Sequence, residues 1–119
     1  MTRGIVLFGH GSRDPLWRLP METVAARLRA MRPGTPVRCA YLELDAPSLP
    51  DAAAELVAGG ADAVTILPMF LGTGRHARED LPRLVDALRA AHPGVSFDLR
   101  QAVGEDGRVV DLIAKIALE

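Results

Sequence analysis

Four short, predominantly apolar segments, separated by helix-like stretches, are the feature of this sequence that most constrains its fold. They cover residues 4–8, 37–44, 63–67 and 95–99. Apolar runs without polar alternation predict strands buried on both faces, as in a parallel sheet with helices on each side. After each run, apolar residues recur at spacings of three and four, which indicates amphipathic helices. We therefore predict one α/β domain spanning residues 1–119, with four parallel strands in the order 2-1-3-4 between two helical layers.

Local signals predict where the helices begin. Asp14 and Pro15 have the pattern of an N-cap and a first helical turn, and Pro20 marks either a kink or the true beginning of the first helix. Ser48 has the spacing of a capping box for the second helix. The third helix is expected to begin just before Pro82 or to kink there. In the last helix four apolar residues are expected to face the core: Val109, Val110, Ile113 and Ile116.

The overall composition excludes several classes of protein. A net charge of −1 provides no basic field for nucleic acid or an anionic membrane. The single cysteine, Cys39, excludes an internal disulfide and a CxxC metal site, and it is expected to be buried in a strand. The apolar run before Gly9 is too short for a signal peptide or a membrane span, so a cytoplasmic location is expected.

Three side chains suited to metal chemistry follow three of the predicted strands. His10 lies between Gly9 and Gly11 after the first strand, Glu43 at the end of the second, and His76 after the third, where a helix starts. The carboxyl ends of parallel strands share one edge, where α/β proteins bind ligands. Two imidazoles and a carboxylate suit divalent ions such as Co²⁺, Fe²⁺, Ni²⁺ or Zn²⁺. We therefore expect these three residues to engage one metal ion, with coordination positions left open.

Each of these residues also has a purely structural interpretation. His10 has the setting of a turn residue, Glu43 of a solvated strand end, and His76 of a solvated first helical turn. Three arginines flank the two histidines and can bind carboxylates or form surface ion pairs: Arg13, Arg75 and Arg78. His92 is expected to end a helix without a chemical role. The glycines around His10 do not form a nucleotide fingerprint, because the third glycine is missing.

The order of three motifs resembles the CbiX family over essentially the whole chain. The motifs are Gly9-His10-Gly11-Ser12-Arg13, then Leu42-Glu43 with Pro47-Ser48, and then Pro68-Met69-Phe70-Leu71 running through Gly74-Arg75-His76 to Asp80-Leu81-Pro82. This resemblance implies a flavodoxin-like, chelatase-like fold and ATP-independent insertion of Co²⁺ or Fe²⁺ into sirohydrochlorin, in cobalamin or siroheme biosynthesis. It also implies the short form of the family, which works as a homodimer without nucleotide, nucleic acid or membrane.

The resemblance assigns roles to individual residues. His10 and His76 match the family's metal-binding and catalytic histidines, and Glu43 matches an acidic residue of the same site. Sirohydrochlorin carries eight carboxylates and a broad ring face, so arginines, backbone N–H groups and an apolar loop have a purpose. The expected substrate-binding residues are Gly11, Ser12, Arg13, Phe70, Leu71, Gly74 and Arg75.

Three alternatives stay open at this point. One is an enzyme that acts with nickel or on another tetrapyrrole, since His and Glu accept all of these metals. Another is a protein that binds or delivers metal without catalysis. A third alternative is a phosphate or nucleotide module built on the turn at residues 9–12.

Overall fold

The strands form one parallel sheet in the predicted order. The computed structural model describes residues 2–119. Its strands run in the spatial order β2-β1-β3-β4, and they are Arg3–Gly9 (β1), Val37–Tyr41 (β2), Ala63–Pro68 (β3) and Ser96–Leu99 (β4). In the register of the parallel ladders, Ile5 lies opposite Val37 on one side and Thr65 on the other. All three strand pairings are parallel, which confirms the predicted topology.

Helices cover the two faces of the sheet unequally. The helices are Leu19–Met31 (α1), Leu49–Ala58 (α2), Arg75–Ala91 (α3) and Gly107–Ala117 (α4), and a 3-10 turn, Val103–Glu105, precedes α4. The larger core, under α2 and α3, includes the alternate strand residues Val6, Phe8, Val64 and Ile66. The smaller core, under α1, includes Leu7, Met21, Ala25, Val37 and Tyr41. None of the described helices, within residues 2–119, is long and apolar enough to cross a bilayer.

The first helix begins later than Asp14, and the second strand ends earlier than predicted. The Asp14 carboxylate accepts from the Leu16 N–H at 2.9 Å, so it caps a separate turn. Helix α1 starts five residues further on, with Pro20 in its first turn, as the proline alternative predicted. Strand β2 stops at Tyr41 because Leu44, with φ 66°, has a backbone that no strand adopts.

The second helix begins as predicted, whereas the third runs through its proline. The Ser48 hydroxyl accepts from the Asp51 N–H at 3.3 Å, as the capping signal requires. Helix α3 begins at Arg75 rather than just before Pro82. Pro82 has no N–H for the carbonyl of Arg78 one turn earlier. Both residues line a surface cavity, so the helix tolerates the missing bond at a solvated position.

The prediction that α4 faces inward is wrong. Val109 is partly buried, and the other three residues expected to face the core are exposed, with Ile113 at 45% and Ile116 at 57%. The physical reason lies in the preceding segment, where the 3-10 turn ends at Asp106, whose carboxylate accepts from the Arg108 N–H at 2.8 Å and starts the helix anew. The helix formed from this point packs on neither face of its own sheet.

Two arginines cover the open edge of the sheet at β2. Both donate to the carbonyl of Val37, Arg29 at 2.8 Å and Arg38 at 3.2 Å. Arg38 is also paired with Glu55 on α2 at 3.1 Å. The edge strand therefore carries charged side chains on the groups that another strand would need.

Candidate active site

Three loops converge at the carboxyl edge of the sheet, and they carry the residues predicted to do chemistry. His10 follows β1, Glu43 lies two residues after β2, and His76 is the second residue of α3 after the β3 loop. All three side chains are exposed. The edge is therefore accessible, as a site for a large ligand requires.

The His10 and Glu43 loops interlock through their backbones. The Glu43 N–H donates to the His10 carbonyl at 3.0 Å. Gly11 has φ 95°, and a Cβ at this position would overlap the carbonyl oxygen of Glu43. Only glycine permits both this conformation and this approach. Gly11 therefore fixes the position of the two loops relative to each other, which is a positional role beside its expected contact with substrate.

A tight turn at Leu44 aims the next carboxylate at the His10 loop. The Asp45 N–H donates to the Glu43 carbonyl at 2.8 Å across Leu44, whose φ is 66°. This is a γ-turn of the rare, strained hand. The Asp45 carboxylate, 11% exposed, accepts from the Ser12 N–H at 3.0 Å and from Arg18 at 3.2 Å. Asp45 therefore anchors the His10 loop, a role that the sequence analysis missed.

The ring of Phe70 packs against the imidazole ring of His10. The two ring centroids are 4.5 Å apart, and the planes are inclined at 32°. Phe70 is only 4% exposed and makes an edge contact with Phe8 at 6.1 Å. Its predicted contact with substrate needs correction, because a buried ring holds His10 and leaves almost no face for a ligand. Leu71, 74% exposed, is the apolar residue that this loop presents.

The expected metal triad is not preassembled. Among residues 2–119, no three His, Cys, Asp or Glu side chains are placed to hold one metal ion. His10, Glu43 and His76 lie on separate loops, and no shared core packing draws their exposed side chains together. They are arranged around an open edge rather than as a closed ligand set.

The start of α3 presents two arginines beside His76. Arg75 is 81% exposed and pairs with Glu79 at 3.3 Å, which agrees with the surface ion pair considered from the sequence. Arg78 and Arg100 line a cavity of about 310 Å³ between α3 and the end of β4. Ligand pockets begin at about 300 Å³. This cavity can therefore take one acidic side group of a large ligand and not the whole molecule.

The loop before α3 rests on the turn that precedes α4. The Gly104 N–H donates to the Phe70 carbonyl at 2.9 Å, and a Cβ at position 104 would overlap the backbone of Leu71. The hydroxyl of Thr73 donates to Glu105 at 3.3 Å. The loop that holds His10 in place is thus itself fixed by the segment after β4.

Large apolar side chains form an exposed rim on the same loops. The members are Leu16, Trp17, Leu42, Leu44 and Leu71, with exposed fractions between 38% and 74%. Apart from Leu71, sequence reasoning did not assign them to the site. The available signal was their position, since they are apolar residues in loops that follow strands, outside any helical stripe.

Below the rim, burial keeps a phenol and a thiol neutral. Desolvation raises the pKa of Tyr41 to about 12, and Trp17 lies 6.1 Å from its ring. Cys39 lies within β2 as expected but is only partly buried, and this burial raises the pKa of its thiol. Neither group carries charge near neutral pH, so charged chemistry at this edge belongs to the exposed residues above them.

Comparison with known proteins shows the family to which the chain belongs. The sequence profile of the CbiX family matches residues 4–119. The chain belongs to the CbiX family. This CbiX chain is 29% identical over 118 residues to a sirohydrochlorin cobaltochelatase of Saccharolobus solfataricus, covering 94% of this chain and 91% of that one.

Solved structures share the fold of this CbiX chain. A CbiX protein of Marinobacter aquaeolei VT8 superposes with a TM-score of 0.83 at 31% identity, covering 98% of this chain and 94% of that one. The sirohydrochlorin chelatase SirB of Bacillus subtilis subspecies spizizenii, in complex with cobalt, superposes with a TM-score of 0.82 at 23% identity. SirB of Bacillus subtilis has also been solved with Fe³⁺. The CbiX chain, covered over 99% of its length, spans 50% of the cobalt-bound SirB chain.

Proposed function

We propose that this CbiX chain inserts Co²⁺ or Fe²⁺ into sirohydrochlorin without ATP, in cobalamin or siroheme biosynthesis. The observation that carries the proposal is the convergence of His10, Glu43 and His76 on one open edge, with His10 stacked on Phe70 and its loop locked to that of Glu43. The names of the family's curated relatives and the metals bound by SirB support the same reaction.

Insertion exchanges two pyrrole protons for one divalent ion. His10 and His76, in their neutral forms, can each hold the metal or accept a pyrrole proton. Glu43, beside His10, orients the imidazole or takes a proton. An open arrangement suits this task, because the metal must leave the protein for the four ring nitrogens, and a closed tetrahedral site would retain it.

The surroundings fit an acidic macrocycle. The arginines Arg13, Arg75 and Arg78 are exposed near the two histidines and can bind substrate carboxylates. The backbone N–H groups of Arg75 and His76 lie at the helix start, where no carbonyl of the same helix is available to them. The apolar rim described above provides a surface for the ring face.

The proposal includes a homodimer. The cavity of about 310 Å³ is small for a tetrapyrrole, so additional protein surface is needed to enclose the substrate. The SirB chain is about twice as long as this one, and a second copy would supply the same mass.

The test is a spectroscopic insertion assay with sirohydrochlorin and Co²⁺, Fe²⁺ and Ni²⁺ in parallel, corrected for the reaction without protein. His10→Ala and His76→Ala are expected to lower the rate at least about 100-fold, the lower end for loss of an acid–base group. His92→Ala is the matched control, because this histidine lies at the other end of α3 from His76. Its ring centroid is 6.0 Å from that of Phe97.

The outcomes separate the proposal from its alternatives. If both site variants insert metal at the wild-type rate, the site assignment is wrong. If the wild-type protein binds Co²⁺ and leaves the absorbance of sirohydrochlorin unchanged, the chain is a binding or delivery protein. Faster insertion of Ni²⁺ than of the other two ions would assign a nickel chelatase.

A further inference from the structure

The cavity between α3 and the end of β4 has an apolar floor and a cationic mouth. Its volume is about 310 Å³, and three residues of its wall, Ala77, Leu81 and Ala102, are each at most 5% exposed. The exposed residues Arg78 and Arg100 line it from two different elements, the first on α3 and the second directly after β4. An apolar floor beside two guanidinium groups suits an acid with a short aliphatic stem.

The backbone that carries the two arginines is held in place by the fold. The Arg78 N–H donates to the Gly74 carbonyl at 3.0 Å in the first turn of α3. The Arg100 N–H donates to the Ile66 carbonyl at 2.9 Å and so continues the pairing of β4 with β3. A ligand therefore has to order the side chains and not the backbone, which keeps the entropic cost of binding low.

The ion pairs on α3 leave the guanidinium of Arg78 available. Arg75, in the same helical turn, pairs with Glu79 at 3.3 Å. Within residues 2–119, no carboxylate pairs with Arg78. An unpaired guanidinium beside a cavity can bind an external carboxylate through two parallel N–H donors.

Two carboxylates close to the cavity are already engaged by the protein. Asp98 accepts from Nε of Arg100, so the Nη groups of this arginine stay free for a ligand. The Glu105 carboxylate accepts from the Thr73 hydroxyl at 3.3 Å, and both residues line the cavity. The charge of Glu105 opposes an anion at this place, which provides a test of opposite sign to the removal of an arginine.

The cavity lies at a distance from His10 that suits a peripheral arm of a tetrapyrrole. His10 follows β1, and β3 lies between β1 and β4 in the sheet. Two strand spacings amount to about 10 Å, which is comparable to the distance from the centre of a tetrapyrrole to the carboxylate of one of its arms. The loop at residues 69–74 connects the two places, because Phe70 packs against His10 and Thr73 lines the cavity.

We propose that this cavity is a binding site for a carboxylate on a short aliphatic stem, held between Arg78 and Arg100. The spacing favours an arm of the tetrapyrrole as the source of the carboxylate, and a free short-chain acid shares the same chemistry. The proposal deepens the proposed function and rests on it for the tetrapyrrole. It adds Arg100, which follows the last strand and was not among the residues that the sequence indicated.

The first test uses sodium propionate, which carries the proposed chemical group alone. Amide shifts of the isotope-labelled protein are followed by nuclear magnetic resonance as propionate is added, against sodium chloride at the same ionic strength. We expect saturable shifts at Thr73 and Ala102, and we expect Arg78→Ala and Arg100→Ala to abolish them. Arg83→Ala is the matched control, because Arg83 is an exposed arginine of α3 outside the lining of the cavity.

The second test measures the affinity for metal-free sirohydrochlorin by the quenching of Trp17, the single tryptophan of the chain. If an arm occupies the cavity, Arg78→Ala should weaken binding at least about 10-fold, the factor that a hydrogen bond to a charged group provides. Glu105→Gln should strengthen binding about 2- to 5-fold, because it removes a like charge near the surface and keeps an acceptor for Thr73. A purely structural role of these residues would not give effects of opposite sign.

The outcomes separate the site from the reaction. Effects of the variants on sirohydrochlorin assign the cavity to an arm of the tetrapyrrole, and effects on propionate alone assign it to a free acid. If neither ligand distinguishes Arg78→Ala and Arg100→Ala from Arg83→Ala, the carboxylate site is wrong, and insertion of metal by wild type then leaves the chelatase assignment standing. A wild type that binds propionate in the cavity but does not bind sirohydrochlorin supports the site and contradicts the proposed function.

Discussion

At the scale of single residues, Gly11 is the position where both the fold and the site require a residue without a side chain. Gly11→Ala would place a methyl group against the Glu43 carbonyl in a backbone region with positive φ. We expect a loss of about 1–3 kcal/mol in the free energy of unfolding, together with loss of insertion. Gly34→Ala, where a Cβ has no neighbour within 4 Å, should change the stability by less than about 0.5 kcal/mol. Denaturant unfolding of both variants checks this, and equal costs would contradict it.

Asp45 is expected to act on the reaction through the loop it holds. Asp45→Ala leaves the Ser12 N–H and the Arg18 guanidinium without this carboxylate, so His10 should be less well positioned. We expect insertion to slow at least about 10-fold, since small misplacements of reacting groups cost that much or more. Glu22→Ala removes the other ion pair of Arg18, 3.2 Å long, and serves as control. Equal rates for the two variants would show that Asp45 has no positioning role.

The sequence contained the chemistry of the site but not all of its supports. His10, Glu43 and His76 could be placed on one edge because a parallel sheet brings strand ends together. The roles of Asp45 and Phe70 depend on the γ-turn at Leu44 and on a ring contact between separate loops. Neither follows from local pattern, because both arise only when loops distant in the sequence meet.

At the scale of elements, the strand order and the start of α2 were predictable, whereas the start of α3 and the surface that α4 faces were not. Apolar periodicity identified α4 as a helix, and its exposed side chains show that periodicity does not name the surface a helix covers. The prediction that Asp14 caps the first helix was wrong for a related reason, since an aspartate side chain caps an isolated turn as well as a helix.

The beginning of α4 is expected to depend on acid. Hydrogen bonds from Arg108 lower the pKa of Asp106 from 3.8 to about 2. A carboxyl group with a lowered pKa in the folded state stabilises that state above its ordinary pKa. The contribution should therefore be complete above about pH 4 and disappear as the pH falls from 3.8 through about 2.

Nuclear magnetic resonance can follow this titration at the amides of Val109 and Val110, which donate to the Asp106 carbonyl at 3.0 Å. A midpoint near pH 2 is expected, and Asp106→Asn should abolish it. A midpoint at the ordinary value for aspartate would contradict the hydrogen-bonded cap.

At the scale of the whole molecule, activity should depend on protein concentration. If two copies complete the cleft, the specific insertion rate of wild type should fall on dilution below the dissociation constant of the dimer. Two copies joined by a long glycine-serine linker should keep a constant rate, because the second copy is then present at a high effective concentration. A wild-type rate that stays constant down to nanomolar protein would show that one copy suffices.

Gly104 contacts the backbone of Phe70 and Leu71. The short turn that contains Gly104 therefore touches the loop that holds His10 and also leads directly into α4. For the homodimer proposed above, thermodynamic linkage applies, because a ligand that binds one assembly state more tightly also favours that state. If the tetrapyrrole binds the dimer more tightly than the monomer by some factor, it must tighten the dimer accordingly. Sirohydrochlorin would act as an assembly effector of its own chelatase, and the release of the metallated product would loosen the pair again.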